Sequence, residues 1–379
     1  MVQNKKALFL THPNSINFKA KVSGGVQLCS REFYNVLLAT GFDLTQVNVN
    51  YTKNIIQRIC IKMKFGLYSM FNVKNTQQLV FDEIEKNKVK YVFINMSSLL
   101  RYAKPIKLKY GEAVKIYLLS HGNDTGDFLH LTTKPLKKYN WLSKIRDIIR
   151  LGALLHIESL YRNKYLDGVM SVSNTEKEIE NWFGAKKSIF IPRTINKETK
   201  SFSHTNYSRA GFIGRLDHPP NYQGITSVLR ELTLLNTPNI DFRLIGAPAI
   251  WGEKIQKEFP FVTYLGELSD EEVEKEVSTW GLILNTVFWY STGVTTKFAK
   301  YLEWEVPTIT TPQGTRGYQW KDGNIDYVNS PKEMAIRINQ MINNKELIEN
   351  SKVELLKIKN SALTIEELAF SLKKEFLFN

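Results

Sequence analysis

Short apolar runs along the chain alternate with longer segments in which apolar residues recur every three or four positions. A short apolar run predicts a buried strand, and the longer period predicts a helix with one face toward a core. In residues 1–200 the predicted strands are Ala7–Thr11, Leu44–Val49, Tyr91–Asn95, Val114–Ser120, Val169–Ser173 and Ser188–Ile191. The helices predicted between them are Gly25–Thr40, Thr76–Asn87, Trp141–Arg162 and Asn174–Phe183.

The same alternation continues in the second half of the chain. Its predicted strands are Ala210–Gly214, Phe242–Gly246, Val262–Leu265, Leu282–Asn285 and Thr308–Thr311. Its predicted helices are Asn221–Leu235, Ile250–Phe259, Asp270–Thr279, Thr295–Trp304, Lys332–Lys359 and Ile365–Phe376. The polar run Pro192–Tyr207 has no clear period and is the predicted hinge between the two halves.

Strands that alternate with helices favour an α/β fold in which parallel sheets are covered on both faces. A length of 379 residues suits two domains of ordinary size, each with its own core. Ligands of such sheets bind outside the carboxyl ends of the strands, where the connecting loops gather. The loops that follow the strands are therefore where we look for chemistry.

Two of these loops suit a phosphate or diphosphate. In the first, Gly293 precedes a helix that carries Lys297 in its first turn, so unpaired N–H groups, a helix dipole and a cation meet at one point. In the second, Gly214 lets a ligand approach the backbone and Arg215 offers a guanidinium matched to phosphate oxygens. Glycine turns also open helices that bind nothing, so the Gly293 segment alone leaves both interpretations open.

Four segments of the second half occur in the order and spacing of a known family: GFIGRLDHPPN, FRLIGAP, VTYLGELSDEEV and STGVTTKFAKYLEWEVPTITTPQGTRGY. On these residues the chain resembles the family-4 retaining glycosyltransferases (group 1 glycosyl transferases). The resemblance is specific over roughly Asn206–Asn343. Upstream it thins to the short segments Ser23–Val26, Ser120–Gly122 and Gly168–Ser173.

The resemblance implies the GT-B fold, in which two Rossmann-like, doubly wound parallel-sheet domains face a central cleft. Residues 1–200 would bind the acceptor, residues 201–362 the nucleotide sugar, and the helix in residues 363–379 would cross back to the first domain. The implied enzyme moves a sugar from a UDP- or GDP-type nucleotide sugar to a glycan or lipid-linked saccharide, with retention of anomeric configuration. Synthesis of cell-surface polysaccharide or glycoconjugate is the implied setting, with no cofactor and no metal.

The chain departs from the family at positions that usually carry glutamate. The family places one glutamate just before the glycine turn, near the donor sugar, and another eight positions later, on the nucleotide ribose; this chain has Thr292 and Lys300 there. Glu303 lies one turn past Lys300 on the same predicted helix face and is the candidate substitute. Glu305 replaces a family glycine before the proline.

The loop positions and the resemblance together give the candidate site residues. Those expected to act in catalysis are Arg215, Lys297 and His121. Those expected to bind the donor are Gly24, Gly25, Gly214, Asn221, Gly246, Gly266, Leu268, Thr292, Gly293, Val294, Thr295, Thr296 and Glu303. His121 and Asp124 are expected to contact acceptor hydroxyls; a satisfied loop histidine, a solvated loop acid and, for Gly24-Gly25, a plain turn are the alternatives.

Charge is distributed unevenly along the chain. Residues 1–200 hold 32 Lys and Arg against 15 Asp and Glu, a net charge of +17, whereas residues 201–379 hold 19 against 22, a net charge of −3. In Lys53–Lys74 and Lys134–Lys164 the cations are mixed with large apolar residues, which is typical of a segment that lies on an anionic membrane. A solvated basic face is the alternative, and no nucleic-acid motif accompanies the charge.

Two cysteines, Cys29 and Cys60, indicate neither a disulfide framework nor a metal site and favour a reducing compartment. The apolar run Ala7–Leu10 is too short for a signal peptide, and no run reaches the roughly 18 apolar residues of a spanning helix. We therefore expect a cytoplasmic protein, in peripheral contact with the inner face of the cell membrane.

Two other functions remain open at this stage. A non-catalytic homologue that binds nucleotide or a partner enzyme would explain the missing glutamates. A sugar-nucleotide epimerase would use a similar cleft, with carboxylates or histidines acting on the sugar.

Overall fold

Two sheets of six parallel strands organise the chain, and the computed structural model describes residues 5–16, 24–63, 66–133, 140–197, 206–236, 240–290 and 293–377. The first sheet is built from β1 (Lys5–Thr11), β2 (Phe42–Asn48), β3 (Tyr91–Asn95), β4 (Lys115–Ser120), β5 (Gly168–Ser171) and β6 (Ser188–Phe190). Its order is β2-β1-β3-β4-β5-β6, so the chain changes direction across the sheet between β1 and β3. Such a switch point is where open α/β sheets bind ligands.

The second sheet is also six-stranded and parallel, but it has a different strand order. It is built from β7 (Asn206–Ile213), β8 (Asp241–Ile245), β9 (Val262–Gly266), β10 (Trp280–Asn285), β11 (Thr308–Thr310) and β12 (Asp326–Tyr327). Its order is β12-β11-β10-β7-β8-β9, which places the switch point between β7 and β10. The predicted α/β fold with two doubly wound parallel sheets is confirmed.

Helices connect the strands. They are α1 (Gly25–Thr40), α2 (Ile55–Lys62), α3 (Val73–Lys86), α4 (Ala103–Tyr110), α5 (Asp124–Thr133), α6 (Trp141–Lys164), α7 (Asn174–Trp182), α8 (Pro219–Leu234), α9 (Ala249–Glu258), α10 (Asp270–Val277), α11 (Lys297–Glu303), α12 (Pro312–Thr315), α13 (Pro331–Met341), α14 (Lys345–Ser361) and α15 (Ile365–Leu377). Within the described ranges, no helix is long and apolar enough to cross a membrane.

Each face of the first sheet has its own core, because successive side chains of a strand point to opposite faces. In β1, Leu8 and Leu10 join one buried cluster and Ala7 and Phe9 join another. This two-sided burial explains why the strands are nearly continuous apolar runs in the sequence.

The last helix, α15, packs on the first sheet's domain although it follows the second sheet in sequence. Leu368, Leu372 and Phe376 recur at the four-residue spacing of one helix face, and all three are buried in the cluster that contains Phe9. The Phe376 ring meets the Phe42 ring edge-on at 5.2 Å between centroids. The end of the chain therefore joins the two domains a second time.

Several helices differ from the predicted ones. The predicted helix Lys332–Lys359 is two helices, because Asn343 takes a left-handed φ of +64° and Asn344 caps α14 by accepting a hydrogen bond from the N–H of Leu347. The sequence pattern missed α2, α4 and α5, which are short and bury few apolar residues. The helix predicted from Thr295 begins at Lys297.

Glu305, which stands where the family resemblance leads one to expect glycine, adopts a left-handed φ of +55°. Its carboxylate is buried and lies 3.0 Å from the ammonium of Lys359, which is also buried. An ion pair inside the protein is strongly destabilising when only one partner is removed. A glutamate is therefore favoured at position 305 in spite of its backbone strain, because the buried ammonium of Lys359 requires a negative charge beside it.

We expect Glu305→Gly to destabilise the protein although glycine suits the backbone conformation. Relief of a left-handed residue contributes about 1 kcal/mol, whereas breaking a buried pair costs about 3–5 kcal/mol, so the free energy of unfolding should fall by roughly 2–4 kcal/mol. The double variant Glu305→Gly/Lys359→Met should recover most of the loss. Urea unfolding of the three proteins provides the measurement, and a Glu305→Gly variant as stable as the wild type would contradict this account.

Candidate active site in the cleft between the domains

The carboxyl ends of both sheets open onto one cavity of about 830 Å³ between the domains. Ten of the candidate residues line it: Gly25, His121, Asp124, Arg215, Asn221, Gly293, Val294, Thr295, Thr296 and Lys297. The two predicted phosphate turns, which are about 80 residues apart in sequence, therefore meet at one site. The two domains approach each other closely here, since a Cβ on Gly25 would lie 3.3 Å from the methyl group of Thr296.

Lys297 is a half-buried cation in the wall of this cavity. Its ammonium donates to Asn221 Oδ1 at 2.9 Å and lies 4.4 Å from the centre of the Phe212 ring. Gly214 makes room for it, because a Cβ there would collide with Lys297 Nζ. No carboxylate of the described residues forms an ion pair with it, and burial lowers the pKa of Lys297 to about 7.

Arg215 lies in the same wall but turns its side chain toward solvent. Its guanidinium pairs with both carboxylate oxygens of Asp217, at 2.6 and 3.0 Å, and its side chain is 73% exposed. Asn221 Nδ2 donates to the Arg215 carbonyl at 2.8 Å, so one amide links the backbone of Arg215 to the ammonium of Lys297. Arg215 therefore borders the cavity without pointing its charge at Lys297.

Gly293 is held from three sides. Its N–H donates to Glu176 Oε1 at 3.0 Å, its carbonyl accepts from the Arg316 guanidinium, and a Cβ at this position would collide with the carbonyl oxygen of His121. Its φ of +69° is also one that glycine tolerates best. The expectation of an unpaired N–H at Gly293 is therefore wrong, because a carboxylate from the other domain accepts its hydrogen bond.

Glu176 is a functional candidate that sequence analysis missed. It lies in the first turn of α7, where its own N–H donates to Ser173 Oγ at 3.1 Å, and its carboxyl also accepts from the Tyr290 hydroxyl at 3.4 Å. Burial raises the pKa of Glu176 to about 7, although Arg316, Ser173 and the Gly293 N–H all oppose that shift. The Ser-x-x-Glu spacing signals a helix start, but nothing local signals the contact with Gly293.

Three further arginines, Arg150, Arg193 and Arg316, line the cavity without having been predicted as site residues. Arg316 stands in the motif PQGTRGY, between the Gly293 carbonyl and the carbonyl of Gln313, which accepts at 2.9 Å. Arg193 lies in the hinge and is buried, with its guanidinium 2.7 Å from the carboxylate of Glu32. Arg316 could have been predicted because it lies in a motif that matches the family. No feature of the sequence indicates Arg193.

His121 presents a neutral imidazole to the cavity. Burial, followed by the charges of Arg193 and His12, lowers the pKa of His121 to about 3. Its Nε2 lies 2.8 Å from Asn95 Oδ1, and Asn95 turns its Nδ2 toward hydroxyls, so Nε2 is assigned as the N–H donor. Nδ1 is then an acceptor, with no partner among the described residues.

Asp124 lies at the start of α5, in the part of the cavity wall that the first domain forms. Burial, followed by the nearby charge of Glu158, raises the pKa of Asp124 to about 7. Glu158 itself accepts from the Tyr68 hydroxyl and from Asn123 Nδ2, the latter at 3.0 Å. Asp124 is thus the edge of a buried polar network and not a solvated loop acid.

The remaining candidates, Gly24, Gly246, Gly266 and Leu268, do not line the cavity. Gly24 precedes α1 in an extended conformation. Gly246 has φ of +150° and packs so closely on Gly214 that a Cβ would collide with its carbonyl oxygen. Gly266 has φ of +82°, and Leu268 packs half-buried against the core beneath α11.

Thr292 and Glu303 are the two candidates that concern the missing family glutamates. Thr292 lies outside the described residues. Glu303 is largely buried, lies outside the cavity lining and pairs with Lys300, whose ammonium is 2.7 Å from its carboxylate. Contact of Glu303 with a ribose stays a prediction.

Metal ligands do not gather in this cleft. Across the described ranges, no group of three or more His, Cys, Asp or Glu side chains is arranged to hold a metal ion.

Comparison with known proteins identifies the fold. No protein-family profile and no curated protein sequence matches this chain. Among solved structures, sucrose-phosphate synthase of Thermosynechococcus elongatus matches with a TM-score of 0.69 at 12% identity, covering 99% of each chain. Anabaena HepE, solved with UDP and glucose, matches with a TM-score of 0.63 at 12% identity, covering 99% of this chain and 100% of that one.

A third similar structure is the lipopolysaccharide outer core galactosyltransferase WaaB, with a TM-score of 0.61 at 15% identity and coverage of 98% of this chain and 99% of that one. All three matches span both domains of this chain. The similarity therefore includes the way the two domains are arranged as well as the two sheets. The chain has the GT-B fold: two Rossmann-like, doubly wound parallel-sheet domains that face a central cleft.

Proposed function

We propose that this protein is a glycosyltransferase that moves a sugar from a nucleotide-sugar donor to a glycan or lipid-linked saccharide, with retention of anomeric configuration. The observation that carries the proposal is Lys297, a cation placed in an interdomain cleft of the GT-B fold without a carboxylate to neutralise it. A buried charge without a partner is costly unless a ligand supplies the opposite charge. A diphosphate supplies that charge, and structures with the same fold include HepE bound to UDP-glucose.

The donor would occupy the wall formed by the second domain. Its diphosphate would lie beside Lys297 and Arg316 and along residues 293–296, with Arg215 turning in from Asp217. The base, of a UDP- or GDP-type donor, would lie near Gly266–Leu268. The sugar would extend toward His121, whose side chain lines the cavity.

In the reaction, the bond between the anomeric carbon and the diphosphate oxygen breaks, which leaves an oxocarbenium-like sugar and a leaving group with increased negative charge. Lys297 and Arg215 interact more strongly with that charge than with the ground state, and this difference accelerates the reaction. The acceptor hydroxyl then attacks from the same face and passes its proton to the departing phosphate. Asp124 would bind the acceptor hydroxyl on the opposite side of the cleft.

A kinetic series tests this function, after a panel of UDP- and GDP-sugars has identified the donor by thermal shift. Lys297→Ala and Arg215→Ala should each lower turnover about a hundredfold, by comparison with loss of one oxyanion donor, and the double variant should lose less than the sum. Arg215→Lys should recover part of the rate, because a point charge replaces a planar fork. Arg230→Ala, which removes another exposed, carboxylate-paired arginine of the same domain, serves as the control.

The release of nucleoside diphosphate and the anomeric configuration of the product are both measured by NMR. Inversion of configuration would contradict retention, and conversion of the donor without an acceptor would favour an epimerase. Normal turnover of Lys297→Ala with intact nucleotide affinity would exclude the proposed role of that residue.

The lowered pKa of Lys297 predicts that donor affinity depends on pH. The ammonium form binds the diphosphate, so affinity is full below the free-protein pKa of about 7 and falls by about tenfold per pH unit above it, as binding must then take up a proton. UDP-glucose is a suitable probe because its diphosphate diester keeps the same charge between about pH 6 and about pH 8. Calorimetry should show this fall for the wild type and weak, pH-independent binding for Lys297→Met; equal slopes would assign the effect to another group.

We also propose that the first domain rests on an anionic membrane. Its helix α2 has no buried residue and exposes Ile55, Ile56 and Ile59. The first half of α6 exposes one stripe of large apolar side chains at helical spacing: Trp141, Leu142, Ile145, Ile148 and Ile149. Both helices also contribute to the wall of the cleft, so an acceptor held in the membrane would lie at its opening.

This attachment predicts sedimentation with anionic liposomes at low salt and release at high salt, because the Debye length falls from about 10 Å at 0.1 M to about 3 Å at 1 M. Ile148→Asp should weaken the binding severalfold. Ile250→Asp, at a similarly exposed isoleucine on α9 of the other domain, is the matched control and should leave it unchanged. Equal binding to neutral and anionic vesicles would contradict the electrostatic account.

A further inference from the structure

A second cavity of about 450 Å³ lies along α2 and adjoins the central cleft. Ile61 and Met70 line both cavities, so the two share a wall. The rest of the second cavity's lining consists of Ile55 and Ile59, the cations Arg58 and Lys62, and Tyr51 and Thr52. The isoleucines and the cations together suit a ligand that is both apolar and anionic.

The lining of the central cleft also becomes apolar toward α2. Around Lys297 the cleft is cationic, but toward α2 its lining includes Leu67, Phe128, Leu131 and Leu154. A ligand that leaves the sugar-binding end on this side therefore meets apolar side chains first and the groove on α2 next. The cations at the groove match a negative charge placed between a saccharide and an apolar chain.

We infer that the groove on α2 binds the hydrocarbon chain of a phosphate-linked lipid acceptor, with Arg58 and Lys62 facing the phosphate. This inference deepens the proposed function, because it names the chemical class of the acceptor. The saccharide lies in the central cleft near Asp124 and extends past Ile61 and Met70, the phosphate faces Arg58 and Lys62, and the chain continues onto Ile55 and Ile59. The exposed face of α2 then delivers the rest of the chain to the membrane.

Two adjacent isoleucines provide a matched pair for the test. Ile55 and Ile56 are each 72% exposed on the same helix, but only Ile55 lines the groove. A general loss of surface hydrophobicity affects Ile55→Ser and Ile56→Ser alike. Loss of a chain-binding groove affects Ile55→Ser alone.

The experiment measures binding of octyl, decyl and dodecyl phosphate, each below its micellar concentration, by calorimetry on the full chain without donor or membrane. Each buried methylene should strengthen binding about fourfold in the wild type and in Ile56→Ser, and Ile55→Ser should reduce that dependence on chain length. Arg58→Gln/Lys62→Gln should weaken all three ligands to the same extent. Inorganic phosphate is the probe without a chain and should bind far more weakly.

Affinity that does not depend on chain length overturns the inference, as does an equal effect of Ile55→Ser and Ile56→Ser. The outcome is independent of the proposed enzyme activity, because no turnover is measured. Binding of alkyl phosphates without transfer of sugar to any alkyl-phosphate-linked saccharide would leave the groove in place and refute the glycosyltransferase. Full transfer to a free glycan without binding of alkyl phosphates would refute the groove alone.

Discussion

The geometry of the cleft depends on one buried contact between the domains, the hydrogen bond from the N–H of Gly293 to the carboxyl of Glu176. With the Arg316 guanidinium on its carbonyl and the His121 carbonyl packed against its Cα, Gly293 has no room for a side chain. The loop that begins the predicted donor site is thus positioned by the first domain. A change in the relative position of the domains must also change this loop.

Charge pairing distinguishes Lys297 from the buried cations of the described residues. Those cations are matched with carboxylates: Arg162 with Glu180, Lys359 with Glu305 and, in the wall of the cleft itself, Arg193 with Glu32. Lys297 has only the amide of Asn221 and the face of Phe212, and burial lowers its pKa. An unmatched buried charge costs stability, so its retention in a ligand cavity indicates function.

The sequence predicts those features of the fold and the site that depend on neighbouring residues in the chain. Apolar runs predicted the strands, and glycine–cation turns predicted the loops at Arg215 and Lys297, which the fold brings to one cavity. The contacts of Glu176 with Gly293 and of Arg193 with Glu32 join residues more than 100 positions apart, and no local pattern carries them. Helix α2 was missed because a short helix without buried residues leaves no core-facing period.

The contacts around the site differ in how readily a donor can use them. Arg215 is held by Asp217 in an exposed pair, which contributes at most about 1 kcal/mol, whereas a charged hydrogen bond to a diphosphate contributes about 1.5–3 kcal/mol. The Arg215 guanidinium would therefore gain free energy by leaving Asp217 for the diphosphate of a nucleotide sugar, and a rotation of its side chain is enough for that change. The N–H of Gly293 is different, because its release would leave the buried carboxyl of Glu176 without that donor. The proposed diphosphate would therefore bind first to side chains and not to this N–H.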